Sequence, residues 1–127
     1  MEQVGRAEEL AFTVDSRQKY SYPDLCEKLT KYRAEMYPNL EVTGEDLLHD
    51  LRCFVEDLSD SANLIADAAA EPVLTLQDLS KRFNVSEKTV KRWRDRGLAG
   101  RRYRFGKRKR LGFLTSLVEQ FEQLNSE

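Results

Sequence analysis

The sequence predicts a mainly α protein: a small N-terminal helical unit, then a helix-turn-helix with a two-stranded β-hairpin behind it. Three observations lead there. Apolar residues recur at helical spacing through residues 3–58. A strongly basic, two-faced helix is written into Ser86–Arg96, directly after another short helical pattern. From Arg101 to Phe113 the pattern alternates residue by residue, as a strand requires. A chain of 127 residues allows one or two small domains.

Gln3–Asp15 places Val4, Ala7, Leu10, Ala11 and Val14 on one helical face. Ser16–Tyr22 is polar and reads as a connection. Pro23 suits the first turn of a second helix, whose stripe of Leu25, Leu29, Tyr32 and Met36 predicts an extent to about Tyr37, before Pro38-Asn39. Thr43-Gly44-Glu45-Asp46 has the form of a capping box, with acids in the first turn. Leu47, Leu51, Phe54 and Leu58 follow on one face, the strongest helical pattern in the chain. The alanine-rich Ala62–Ala70 predicts a weaker connecting helix. Glu71-Pro72 marks a boundary, because the residue before proline avoids helical dihedrals. Residues 1–71 thus read as an acidic domain of three or four helices, without repeats, and residues 72–127 as a second domain.

That second domain begins with Thr75-Leu76-Gln77-Asp78, another capping-box phrase, with Leu76, Leu79 and Phe83 facing inward. After Asn84-Val85, Ser86 can cap a helix that buries Val90 and Trp93 and leaves Lys88, Lys91, Arg92, Arg94 and Arg96 outside. Gly97 supplies its left-handed exit. Arg102 and Arg104 alternate with Tyr103 and Phe105, Gly106-Lys107-Arg108 can turn, and Leu111 and Phe113 lie on the return strand. Leu117, Val118, Phe121 and Leu124 make a closing helix. Helix, turn, helix, hairpin and helix together predict a winged helix-turn-helix.

Charge separates the two parts. The formal net charge of −1 hides 7 Lys+Arg against 16 Asp+Glu in residues 1–72, hence −9. Residues 73–127 hold 14 against 6, hence +8. The basic part has the electrostatic footprint of a nucleic-acid binder. Enzyme readings fail on inventory: the single His49 sits in an amphipathic helix, and no phosphate loop or nucleophile elbow is present. Adjacent acids such as Glu8-Glu9 and Glu56-Asp57 diverge on a helix. Cys26 and Cys53 lie on apolar helical faces and predict buried free thiols in a reducing compartment. Two cysteines and one histidine are too few for a zinc site, and no cofactor is expected. No apolar run is long enough to span a bilayer and no secretory leader opens the sequence, so the expected location is cytoplasmic.

The run LTLQDLSKRFNVSEKTVKRWRDRGL, with its basic hairpin and FLTSLVEQF, resembles the DNA-binding modules of MerR-type regulators and phage excisionases. In that family a small helix precedes V-S-x-x-T-[VIL]-x-R-W and G-[LR], then a wing. Val85, Ser86, Thr89, Val90, Arg92, Trp93, Gly97 and Leu98 match those positions. The resemblance covers residues 73–124. The sequence departs from the pattern in its wing, where Arg101–Arg110 holds seven basic residues and no acid. A narrower stretch, KTVKRWRDRGLAGRRYRFGKRKRLGFL, is similar to a module found ahead of the conserved regions in some bacterial RNA polymerase sigma factors. That similarity would make this chain the N-terminal part of a longer one.

These patterns assign expected roles. Glu87, Lys88 and Lys91, in the first turns of the recognition helix, are candidate readers of major-groove base edges. Thr89 and Arg92 would hold phosphates and set register, and Ser86 and Arg96 are further candidate DNA-binding residues. Arg101, Arg102, Arg104, Lys107, Arg108, Lys109 and Arg110 would serve the wing, on the minor groove or the adjacent backbone. Trp93 is expected in the core; Phe105 either caps the core or touches the sugar-phosphate edge. The expected partner is double-stranded DNA, with RNA polymerase or another protein as a candidate for residues 1–71. The competing reading is a protein-interaction adaptor whose basic half binds RNA or an acidic protein surface. The plain alternative for the cations themselves is a solvated surface.

Overall fold

The computed structural model describes residues 2–125. Six α-helices dominate, accompanied by a two-stranded sheet and a four-stranded sheet. Helix α1 (Glu2–Ala11) is followed by strand β1 (Lys19–Ser21) and helix α2 (Tyr22–Thr30). Strand β2 (Glu41–Thr43) pairs antiparallel with β1 and runs into the long helix α3 (Gly44–Ser61). Strand β3 (Leu64–Ile65), a 3₁₀ turn (Ala66–Ala68) and strand β4 (Val73–Leu74) lead to α4 (Leu76–Phe83) and α5 (Glu87–Asp95). Strands β5 (Arg101–Phe105) and β6 (Arg108–Leu114) form the hairpin, and α6 (Thr115–Asn125) completes the described chain.

One local phrase recurs where strand passes into helix. Ser21, Thr43 and Thr75 each accept a hydrogen bond from the backbone N–H three residues on, that of Asp24, Asp46 and Asp78. The leucine after each aspartate, Leu25, Leu47 and Leu79, is buried. A cap satisfies one orphan amide, the aspartate complements the helix N-terminus, and the next residue turns toward the core. Sequence reading finds the starts at Thr43 and Thr75 as capping boxes but not the third, at Ser21.

The four-stranded sheet runs β3-β5-β6-β4. β3 is parallel to β5, with Leu64 opposite Tyr103; β4 is antiparallel to β6, with Val73 opposite Leu114. Around it lie two apolar clusters. The first joins Val4, Ala7, Ala11, Leu25, Leu47, Leu48, Leu51 and Val55, and it includes Ala99 from the far side of Pro72. The second gathers Leu79, Val90, Leu98, Phe113, Val118 and Phe121, with Phe12 of the α1 exit packed against it. Gly97, at φ 117°, lets the chain pass over α1: a Cβ there would sit 2.6 Å from the Ala11 carbonyl oxygen.

Several expectations are corrected. α2 stops at Thr30, because Lys31 turns left-handed and donates its N–H to Glu27 O. Tyr32 and Met36, read as the continuing stripe, stand exposed. Ala62–Ala70 forms no α-helix; it gives strand β3 and the 3₁₀ turn, since Leu64 and Ile65 find an open edge on β5. Leu58 lies on the exposed side of α3. Cys53 is exposed and Cys26 half-buried, and both thiols are free, so burial does not protect Cys53. Among the described residues no helix is long and apolar enough to cross a membrane.

Candidate nucleic-acid interface

Helix α4 leaves its capping box and ends at Asn84, whose left-handed conformation (φ 52°) turns the chain. Ser80 Oγ donates to Val85 O and fixes the bend. Ser86 then caps α5, accepting from Thr89 N–H at 3.2 Å, with the Thr89 hydroxyl 3.1 Å away. Val90 is fully buried, and Trp93 packs edge-on to Phe83 and tilted against Phe121, as a core residue. This anchoring leaves Glu87, Lys88, Lys91 and Arg92 exposed. The three cations stand at positions i, i+3 and i+4, so they share one face of the helix.

The opposite side of α5 meets α3. Arg94 reaches Glu56 at 3.0 Å and Arg52 reaches Asp95 at 3.2 Å. Burial lowers the Arg94 pKa despite the Glu56 carboxylate beside it. Arg96, at the helix exit, is exposed and has no acid partner among the described residues.

The hairpin alternates as its sequence indicates. Arg102 lies opposite Leu111, Tyr103 opposite Arg110, Arg104 opposite Lys109 and Phe105 opposite Arg108. Gly106, at φ 64°, makes the turn. Phe105 is half-buried against Tyr103, with ring centroids 6.5 Å apart, so it covers the core side of the sheet.

The seven hairpin cations divide into two groups. Arg101 is turned toward α1, where Nε and Nη2 donate to the two carboxylate oxygens of buried Glu8 at 2.8 and 2.6 Å. Burial works against the charge on Arg101, but the Glu8 contacts outweigh it and its pKa is raised. Lys109 donates to the Asp60 carboxylate at 2.8 Å; this hydrogen bond lowers the Asp60 pKa against the opposing effect of burial, with the charges of Lys109 and Arg102 adding to it. Arg102 is half-buried; its backbone N–H donates to Ser59 Oγ at 2.8 Å, and its charge acts on the Asp60 carboxylate. Arg104, Lys107, Arg108 and Arg110 are exposed without an acid partner among the described residues. Arg101 therefore stands apart from the other expected contacts, held inside the fold.

Sequence reasoning missed the acids that do this work. Glu8, Glu56 and Asp60 read as parts of a divergent acidic exterior, yet each meets a cation from beyond Pro72. The opposed charges of the two parts, −9 and +8, were the available signal. Also missed was the first turn of α4: Thr75, Leu76 and Gln77 line a cavity of about 370 Å³ together with Arg102, Lys109, Arg110 and Leu111. No group of three or more potential metal-ligating side chains occurs among the described residues. In comparisons with protein-family models, curated proteins and solved structures, the chain matches none.

Proposed function

We propose that this chain is a DNA-binding transcription regulator. Its C-terminal part acts as a MerR/excisionase-like winged helix-turn-helix: α5 enters the major groove and the β5–β6 hairpin lies along the neighbouring backbone. The observation that supports it best is the partition of cations. Arg94, Arg101 and Lys109, which face the N-terminal part, are paired with acids, whereas Lys88, Lys91 and Arg92 on α5 and Arg104, Lys107, Arg108 and Arg110 on the hairpin remain exposed, with no acid partner among the described residues. Like charges held on adjacent strands repel one another. A polyanion relieves that repulsion and releases counterions on binding.

Glu87, Lys88 and Lys91 are the proposed base readers, while Ser86, Thr89, Arg92 and the unpaired hairpin cations set register on phosphates. With roughly six to eight phosphate contacts, log K should fall against log salt with a slope of about −5 to −7. The test is fluorescence anisotropy with random duplex DNA and matched RNA across a salt series. Submicromolar duplex binding at low salt with that slope supports the reading. No duplex binding sinks it and favours the adaptor reading, as would preference for RNA. Within a DNA-binding protein, Lys91→Ala should weaken preferred sites more than random ones; equal weakening would reassign Lys91 to the backbone.

A further inference from the structure

We infer that the cavity between the ends of α4 and α5 and the outer turns of α6 is a small-molecule site. It takes one aromatic ring bearing both a carboxylate and an ammonium group, as a free aromatic amino acid does. The inference stands apart from the DNA-binding reading and does not need it.

Three rings make the walls. Phe83 closes α4, Trp93 lies in the last turn of α5, and Phe121 faces them from α6. Trp93 meets Phe83 edge-on, with centroids 5.4 Å apart, and meets Phe121 at a tilt of 45° and 6.0 Å. Rings set at such angles touch along their edges and leave a wedge, which the short side chain of Val118 lines without filling. The result is a cavity of about 170 Å³. Phe121 and Val118 form a buried floor, while Phe83 and Trp93 are half-buried and keep aromatic surface for a guest to cover.

Its size selects the guest. An apolar cavity of about 150 Å³ accommodates benzene, whereas ligands of drug size need about 300 Å³ or more. The space therefore admits a single six-membered ring and excludes a nucleoside. Aromatic walls favour an aromatic guest, whose edge can meet their faces.

Two opposite charges stand at the mouth. Arg96, at the exit of α5, and Glu122, on α6, both line the cavity and are exposed, and neither forms an ion pair among the described residues. Next to Phe83 and one turn before Glu122, Arg82 and Glu119 already engage each other at 3.9 Å. Asn125 donates its side-chain N–H to Phe121 O at 2.9 Å, which leaves its amide oxygen to accept. A carboxylate on the guest can accept from the Arg96 fork, and an ammonium can donate to Glu122 and to Asn125 Oδ1. A guest with only one of these charges gains one contact and meets the like charge of the other residue. A bare ring leaves both residues unmatched. The mouth thus ranks a zwitterion above either single ion, and the rings rank an aromatic side chain above an aliphatic one.

Trp93 is the single tryptophan of the chain and a wall of the cavity, so its fluorescence and its indole N–H resonance read occupancy directly. The full chain is titrated with L-phenylalanine, 3-phenylpropionate, phenethylamine, L-leucine and L-alanine. L-Phenylalanine should give a saturable change with a Kd on the order of 1 mM, the range open to a ligand of its size. The two singly charged analogues should bind about fivefold more weakly, as loss of an exposed charge contact implies. L-Leucine should be weaker too, and L-alanine should not bind. Arg96→Gln should weaken L-phenylalanine yet tighten phenethylamine, and Glu122→Gln should weaken L-phenylalanine yet tighten 3-phenylpropionate. Damage to the fold would not move two ligands in opposite directions. Val118→Ile, which adds a methylene to the cavity, should weaken every ring compound. No saturable response of either Trp93 signal to any ring compound, up to its solubility limit, overturns the site. Ring compounds that bind alike and ignore Arg96→Gln and Glu122→Gln overturn the zwitterion. L-Leucine binding as tightly as L-phenylalanine overturns the aromatic class.

Discussion

Replacing Glu8 by alanine should destabilise the protein far more than an ordinary helix-surface substitution. Glu8 is 3% exposed and receives two hydrogen bonds from Arg101, whose side chain is 18% exposed. Truncation leaves a guanidinium in a site that disfavours its charge. Breaking a fully buried pair costs about 3–5 kcal/mol. Because Arg101 retains some solvent access, the expected loss is about 2–3 kcal/mol. For a chain of this length that lowers the melting temperature by roughly 10 °C. A double-mutant cycle separates pair from packing: Glu8→Met and Arg101→Met should each destabilise alone, whereas the two together should recover most of the loss, since an apolar pair needs no charge partner. Urea titration with equilibrium fluorescence at Trp93 reads Glu8→Ala and the four proteins of the cycle. A Glu8→Ala loss below about 0.5 kcal/mol, the range of neutral surface changes, would refute the claim that this pair joins the two parts of the chain.

Other expectations follow from the same geometry. Gly97→Ala should cost roughly 2–4 kcal/mol, because φ 117° and an Ala11 carbonyl oxygen 2.6 Å from the new Cβ combine strain with overlap; a denaturant midpoint equal to wild type would contradict it. Gly5 lies inside α1 with nothing within 4 Å of a Cβ, so Gly5→Ala should gain about 0.5–1 kcal/mol from backbone entropy, read from the same titration. Asp60 has a folded pKa below its ordinary 3.8, so its contact with Lys109 contributes above 3.8 and is lost as pH falls through the lowered folded value. Carboxyl chemical shifts should report that late protonation, and an ordinary Asp60 titration would deny the contact. Under the proposed function, Asp60→Asn should free Lys109 and raise duplex affinity a few-fold at low salt; unchanged affinity would remove Lys109 from the proposed DNA contacts.

The helix pair α4–α5 was the part most legible in the sequence because its signals are local. Thr75 and Asp78 cap one helix, Ser86 starts the next, and Gly97 ends it, all within the reach of a few backbone bonds. The hairpin was legible for the same reason, through alternation and Gly106. Elements decided by distant partners were not. β3 consists of two residues that are strand only because β5 offers an edge, and Val73–Leu74 is strand only beside β6. α2 shows the opposite error: helical spacing continues through Tyr32 and Met36, but the Thr30 hydroxyl accepts from Tyr32 N–H and Lys31 turns left-handed, so the pattern outlasts the helix. In the candidate site, the exposed cations of α5 could be read from spacing. That Arg101 belongs to Glu8 could not: spacing puts Glu8 on the face of Val4, Ala7 and Ala11, but it does not name a partner 93 residues away.

Glu8 and Arg101 are 93 residues apart, and the polypeptide is made from the acidic end. At a synthesis rate of about 5–20 residues per second, the guanidinium emerges some five to twenty seconds after its carboxylate. During that interval the first helices lack Ala99, their late-arriving apolar neighbour. Their surplus of negative charge repels the ribosomal RNA around the exit, and it repels other nascent copies in the same condition. The order of charge along the chain thus makes the half that must wait the half least prone to stick, and the adhesive, basic half arrives when the acids that restrain part of it are already present.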